Sequence, residues 1–214
     1  MLNELKKRVC NLNKGLQKNN LVVMTSGNVS ARDETTGYIV IKPSGMPYEQ
    51  LTPEKMVVVD SEGNIIEGDV APSVDTETHL FIYRKRKDIA GIVHTHSNYA
   101  TSFAALGKSI PPVITSVADI FGGPVPVGPY VPVGGKEIGE AIVNHIGDSS
   151  GILMKQHGVF TIGKDPEGAF KSAVVLEDIA KTVHLALLKG TPEELTEEQI
   201  DKANQYYQHQ YGQR

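Results

Sequence analysis

Leu2, Leu5, Val9, Leu12 and Leu16 recur at intervals of three and four, the period of one helical face, so residues 2 to 18 read as an amphipathic helix. The pattern then shortens. Tyr38 to Ile41 and Met56 to Val59 are β-rich runs, and Ser61-Glu62-Gly63-Asn64 reads as a hairpin turn into Ile65-Ile66. Residues 76 to 87 carry a helical pattern, 89 to 94 an apolar strand, and 98 to 106 a second helical stretch. From Gly122 to Gly135 stand four prolines and five glycines, which spell a shaped loop with short extended pieces. Residues 136 to 146 predict a helix. Ile152 to Lys155 and Val159 to Ile162 predict strands on either side of Gln156-His157-Gly158. Asp165 followed by Pro166 is a helix start, a capping carboxylate and then proline at the first helical position. That helix should run to Leu188, with Gly190 just past its end, and Thr196 with Gln199 form a capping box for a last helix.

Strands and helices alternate throughout, with no internal repeat and no low-complexity linker, which favours a layered α/β fold with one sheet. A chain of 214 residues is one domain's length and can bury a substantial core. The net charge of −4 gives no footprint for nucleic acid, and the basic run Arg84-Lys85-Arg86-Lys87 reads as a solvated helix end. Cys10 is the only cysteine, which excludes an intrachain disulfide and a multi-cysteine zinc site. Met1 to Lys7 is charged and lacks a signal peptide's apolar core, and no apolar run approaches the roughly 18 residues of a membrane span. The expectation is a soluble cytoplasmic protein.

The apolar run Ile89 to Val93 leads straight into His94-Thr95-His96. On a strand, alternate side chains share a face, so the two imidazoles point the same way roughly 7 Å apart along the chain, a spacing at which they can share a metal ion. The competing reading is a strand end with two solvated histidines. A third ligand is needed, and His157 is the best candidate, because Gly158 after it allows close backbone approach. Three histidines leave a position open for water or substrate, as a catalytic zinc requires. His79, His145, His184 and His209 lie in helical or tail contexts and are weaker candidates.

Asp75 opens a helix, where it reads either as an N-cap or as a fourth metal ligand or nearby base, with His79 four residues later placed to orient it. Three small polar turns complete the picture: Thr25-Ser26-Gly27-Asn28-Val29-Ser30, Lys42-Pro43-Ser44-Gly45 and Pro72-Ser73. Each offers amides and hydroxyls, Lys42 adds a charge, and together they can cradle a phosphate, although each alone is only a turn.

Taken in order, Ser26-Gly27-Asn28-Val29-Ser30, Lys42-Pro43-Ser44-Gly45, Pro72-Ser73-Val74-Asp75-Thr76, His94-Thr95-His96 and His157-Gly158 resemble the successive motifs of the class II sugar-phosphate aldolase and epimerase family. The resemblance spans nearly the whole chain. It implies a three-layer αβα sandwich with a mixed, largely antiparallel sheet, and a homotetramer with zinc sites at subunit interfaces. Zinc would sit on His94, His96 and His157, with Asp75 as a further ligand or base, and would act as a Lewis acid toward the enediolate formed when a ketose phosphate breaks its C3–C4 bond. Asn28, Lys42, Ser44, Gly45 and Ser73 would hold the phosphate.

Within the family the chain looks most like the L-ribulose-5-phosphate 4-epimerase branch. Aspartate stands at position 75 where fuculose-phosphate aldolases carry glutamate. Ala118-Asp119-Ile120-Phe121 and Tyr211-Gly212-Gln213 resemble segments bearing that branch's catalytic aspartate and tyrosine. This implies Asp119 and Tyr211, from a neighbouring subunit, as acid and base at the C4 hydroxyl. Val74, Val117 and Ala203 depart from the epimerase pattern, and Gly128-Pro129-Tyr130 resembles the aldolase branch. Two other classes remain to be weighed. A cupin-type metal protein would need more strands and fewer long helices, and a noncatalytic relative of the fold would have no reason to keep the histidines, Asp119 and Tyr211 together.

Overall fold

The computed structural model describes residues 2–212, so Gln213 of the C-terminal motif lies outside the described residues. Eight strands form one sheet, in chain order β1 (Asn28–Arg32), β2 (Ile39–Ile41), β3 (Val57–Val59), β4 (Ile65–Glu67), β5 (Gly91–Thr95), β6 (Val127–Gly128), β7 (Gly151–Met154) and β8 (Gly158–Gly163). Their spatial order is β4-β3-β2-β1-β5-β8-β7-β6. Every neighbouring pair is antiparallel except β6 with β7. The mixed, largely antiparallel sheet is therefore present.

Among the described residues, seven α-helices cover it: α1 (Asn3–Lys18), α2 (Thr76–Lys85), α3 (Asn98–Leu106), α4 (Thr115–Phe121), α5 (Glu137–His145), α6 (Pro166–Leu187) and α7 (Glu197–Gln210). Strand alternation sorts the core between the two faces. Ile39, Ile41, Val57, Val59, Ile92, Phe160 and Ile162 pack against Leu80 and Ile82 of α2 and Ile138 and Ile142 of α5. On the other face, Val29, Val40, Val58 and Val93 meet Val9 and Leu16 of α1 and Ala169 and Ala173 of α6. Leu153 and Val159 meet α3, α4 and the middle of α6. Helices on both faces of one sheet make the three-layer αβα sandwich. No helix among the described residues is long and apolar enough to cross a membrane.

Local signals explain most element ends. Asp165 caps α6, its carboxylate accepting from the Gly168 amide at 2.6 Å. Thr196 and Gln199 form the reciprocal capping box that starts α7. Two elements depart from the sequence reading. The Ser26–Ser30 segment is not a turn throughout, because from Asn28 it becomes β1, at the centre of the sheet. Helix α4 arises where no element is expected, and Gly122 ends it at φ 69°.

Candidate active site

Strand β1 runs antiparallel to β5 with Asn28 directly opposite His94, and β8 flanks β5 with Phe160 opposite His94. That register brings the first polar turn and the histidine pair to one end of the sheet. Close approach depends on Gly27 (φ 74°), where a β-carbon would lie 2.8 Å from the His94 carbonyl oxygen. Just beyond β7, Gln156 takes φ 58°, and the chain turns back so that Gly158 starts β8 beside Thr95 and His96. His157 is thereby delivered to the same end.

The result is a compact triad. Ring centroids stand 4.7 Å apart for His94 and His96, 4.9 Å for His94 and His157, and 5.4 Å for His96 and His157. One ligand atom from each lies within 4.8 Å of the others. His94 is buried and stacked on Phe160 at 4.1 Å, while His96 is exposed and His157 half-buried. Burial pushes all three imidazoles below their ordinary value, His94 to about 3, so each is neutral and keeps a lone pair near pH 7. The Nδ1 of His94 lies 2.9 Å from the Val159 carbonyl oxygen. A carbonyl only accepts, so Nδ1 carries the proton and Nε2 is bare, the form that binds a metal. Three neutral nitrogens at this separation fit a divalent ion such as zinc.

Asp75 stands beside the triad. Its carboxylate makes no cap bond to α2, so the N-cap reading supplies only its position, not its chemistry. Instead Asn28 Nδ2 donates to Asp75 Oδ2 at 2.7 Å and to Ser73 Oγ at 3.1 Å. Burial pushes the Asp75 carboxyl up, yet it is held below the ordinary carboxylate value; the charges of His94 and His79 contribute only at low pH, where those imidazoles protonate, and near pH 7 the Asn28 bond remains. The group of mutually close ligand atoms contains the three histidines and not Asp75.

The second and third turns meet at the same corner. Pro43 bridges Pro72, the Ser73 amide donates to the Lys42 carbonyl oxygen at 2.9 Å, and the Ser44 amide donates to the Ala71 carbonyl oxygen at 2.9 Å. Ser44 and Gly45 (φ 61°) are exposed. Lys42 approaches from inside. Its side chain is buried, Nζ donates to the Thr25 carbonyl oxygen at 2.9 Å, and the ammonium lies 5.1 Å from the Tyr48 ring. Burial lowers its pKa, and Asp75 opposes the shift. Lys42 therefore braces the Thr25–Gly27 turn from behind.

A family profile described as Class II Aldolase and Adducin N-terminal domain matches residues 7–184. The chain belongs to the class II aldolase family. Among solved structures it is similar to an L-fuculose 1-phosphate aldolase, with 29% identity, a TM-score of 0.91 and 96% of both chains covered. It is also similar to the L-fuculose-1-phosphate aldolase from Thermus thermophilus, with 25% identity and a TM-score of 0.73, covering 87% of this chain and 98% of that one. A sugar-phosphate aldolase from Thermotoga maritima, at 22% identity and a TM-score of 0.76 over 89% and 97% of the two chains, shares the fold.

Against this class II aldolase frame, Asp119 and Tyr211 stand apart. Asp119 sits on α4, where partial burial raises its carboxyl above the ordinary value. Asn204 of α7 donates to the Ala118 and Asp119 carbonyl oxygens at 3.1 and 3.0 Å, which fastens α7 onto α4. Tyr211 follows α7, exposed and stacked on Tyr207 at 5.0 Å. Neither makes a hydrogen bond or ring contact with the triad among the described residues. Glu177 of α6 is a supporting residue that the sequence reading missed. Its two carboxylate oxygens accept from the Tyr99 and Ala100 amides at 2.9 Å each, pinning the start of α3 just after His96. No local pattern could reveal it, since 77 residues separate Glu177 from Ala100. A cleft of about 530 Å³ lined by Arg32, Tyr83, Ala90 and Lys164 opens at the other end of β1 and β5 and is separate from the triad.

Proposed function

We propose that the chain is a metal-dependent enzyme that breaks and re-forms the C3–C4 bond of a ketose phosphate. The observation that carries this reading is the convergence of three neutral imidazoles with an ionised Asp75. Family membership alone does not decide catalysis, since the family's description names adducin beside the aldolases. A noncatalytic relative would gain nothing from burying His94 as a bare-nitrogen donor beside His96 and His157.

A divalent metal, zinc in this reading, held by His94, His96 and His157 would supply Lewis acidity toward the charge developing on the ketone oxygen. The remaining work falls to the chain itself. Asn28, Ser44, Gly45 and Ser73, with the Lys42 charge behind them, hold the phosphate and fix the sugar's orientation. Asp75, kept ionised, stands beside the ketone-bearing fragment as a further ligand to the metal or as a base for the hydroxyl next to the ketone. Asp119 and Tyr211 of a neighbouring subunit move the proton at the C4 hydroxyl. In support of a shared site, the segments that lead into the site leave apolar side chains exposed in a single chain: Met24 at 80%, shortly before Gly27, Val74 at 70%, next to Asp75, and Leu106 at 70%, at the end of α3. In this reading the chain works as a homotetramer.

Two outcomes follow from the same bond cleavage. Inversion at C4 of a ketopentose phosphate of the L-ribulose 5-phosphate type is favoured by aspartate at position 75 and by the Asp119 segment. Release of an aldehyde from an L-fuculose 1-phosphate type substrate is favoured by the likeness to L-fuculose 1-phosphate aldolase and by Gly128-Pro129-Tyr130. Incubation with zinc and a panel of pentulose and hexulose phosphates, scored for C4 inversion against aldehyde release, separates the two. Failure of every ketose phosphate to react would refute the proposal.

A further inference from the structure

Behind Asp75, on the α2 side of the sheet, lies a row of buried polar groups that the proposed chemistry does not use. Ser30 follows Asn28 by two residues on β1, so the two side chains share a face. Ser30 Oγ lies 2.7 Å from His79 Nδ1 and 2.9 Å from Tyr83 Oη. His79 is fully buried, and its Nε2 has no partner. Asn28 Oδ1 is also buried without a partner. A helical side chain leans toward the N-terminus, so His79 leans back toward Asp75, the residue just before α2, whose charge acts on it.

We infer that Tyr83, Ser30 and His79 form a directional hydrogen-bonded file that presents the Nε2–H of a neutral His79 to the Asn28–Asp75 pair, making His79 a positioning residue of the site. This rests on the reading of Asn28 and Asp75 as site residues.

Two arguments fix the direction. At the far end, Ser30 Oγ is the one hydrogen-bond partner of the buried Tyr83 Oη among the described residues, so the phenol's proton goes to Ser30. Ser30 has one proton, which then goes to His79 Nδ1, so the ring's proton must sit on Nε2. At the near end, the ionised Asp75 disfavours a bare Nε2 lone pair and favours an N–H. Both ends select the same tautomer. The same logic explains the amide of Asn28. With Nδ2 donating to Asp75 and Ser73, Oδ1 faces away from the carboxylate, buried and without a direct partner, as is His79 Nε2. A rotated amide would set Oδ1 against Asp75. His79 thus favours the ionised Asp75 and the Asn28 orientation that serves it through the field of its N–H, not through a direct hydrogen bond.

The test has two arms. In wild-type protein labelled with ¹⁵N-histidine, long-range ¹H–¹⁵N spectra report each ring's tautomer, and the signal lost in His79→Gln identifies His79. The expected pattern is a bare Nδ1 and a protonated Nε2; a protonated Nδ1 would overturn the inference. The second arm compares two replacements. A glutamine amide reaches the Nε2 position, whereas asparagine reaches only Nδ1. At unchanged metal content, His79→Asn should lose roughly 10–100-fold in kcat, as for other supporting partners, and His79→Gln about 3-fold or less. Equal losses would show that His79 only fills space. If the wild-type protein acts on no ketose phosphate, the proposed function fails, while the tautomer still decides the direction of the file.

Discussion

Gly158→Ala probes the contact that closes the histidine triad. A methyl group at 158 would stand 2.5 Å from the Thr95 carbonyl oxygen, 2.7 Å from His96 Cδ2 and 3.4 Å from His94 Cε1. The first neighbour is backbone at the end of the β5–β8 ladder and cannot rotate away, so Thr95 and the His96 imidazole must shift, while His94 stays in ordinary contact. Position 158 is outside the positive-φ region, so alanine carries no backbone penalty there. The cost is overpacking, about 1–3 kcal/mol. Stiffening of the unfolded chain returns about 0.4–1 kcal/mol. The net loss, about 1.3 kcal/mol at the midpoints of those ranges, should lower Tm by roughly 3–5 °C for a chain of this size. Zinc affinity should fall by roughly 10-fold or more, because one ligand, His96, is itself displaced. The assays are thermal melts in chelator and in zinc, and zinc competition against a chromophoric chelator. Gly190→Ala is the control, since a β-carbon there meets nothing within 4 Å. Wild-type Tm and zinc affinity in Gly158→Ala would refute the packing argument and the triad geometry built on it.

Other expectations follow from the same site. Lys42→Met should raise KM for a phosphorylated substrate far more than for its unphosphorylated analogue, whereas equal increases would mean that Lys42 only braces the Thr25 turn. Burial pushes the His79 imidazole from 6.5 to about 4, so the unfolded chain takes up a proton at a higher pH than the folded one does. Metal-free protein should therefore lose about 3 kcal/mol from this group as pH falls from 6.5 to 4, and urea midpoints of His79→Gln should show a flatter pH slope. An unchanged slope would contradict that assignment. Mixing inactive His96→Ala and Tyr211→Phe proteins under subunit exchange should restore part of the activity if sites are shared. No recovery despite exchange would place Tyr211 within its own subunit or outside catalysis.

Local chemistry made much of the fold legible. Asp165-Pro166 and Thr196 with Gln199 are capping signals whose partners lie within one helical turn, and both cap as their residues demand. The His94–His96 pair was readable because strand alternation fixes its geometry, and His157 because Gly158 follows it. Strand β1 was not readable as a strand. Its Asn28 and Ser30 are small polar residues that belong in turns by propensity, and they tolerate the sheet's centre only because Ser73, Asp75, His79 and Tyr83 satisfy them from α2 and the turn before it. Helix α4 is short and lacks a side-chain cap, so tertiary packing against α6 and α7 decides it. The Asn28 bond to Asp75, 47 residues away, is likewise a product of register rather than of any local pattern.

Zinc stoichiometry measured side by side on the wild-type protein and on His96→Ala tests the central claim most directly. His96 is the exposed member of the triad, so its removal leaves the core intact. The account predicts one zinc per chain in the wild type, and neither bound zinc nor activity on a ketose phosphate in the variant. Full zinc occupancy in a folded His96→Ala protein would contradict it.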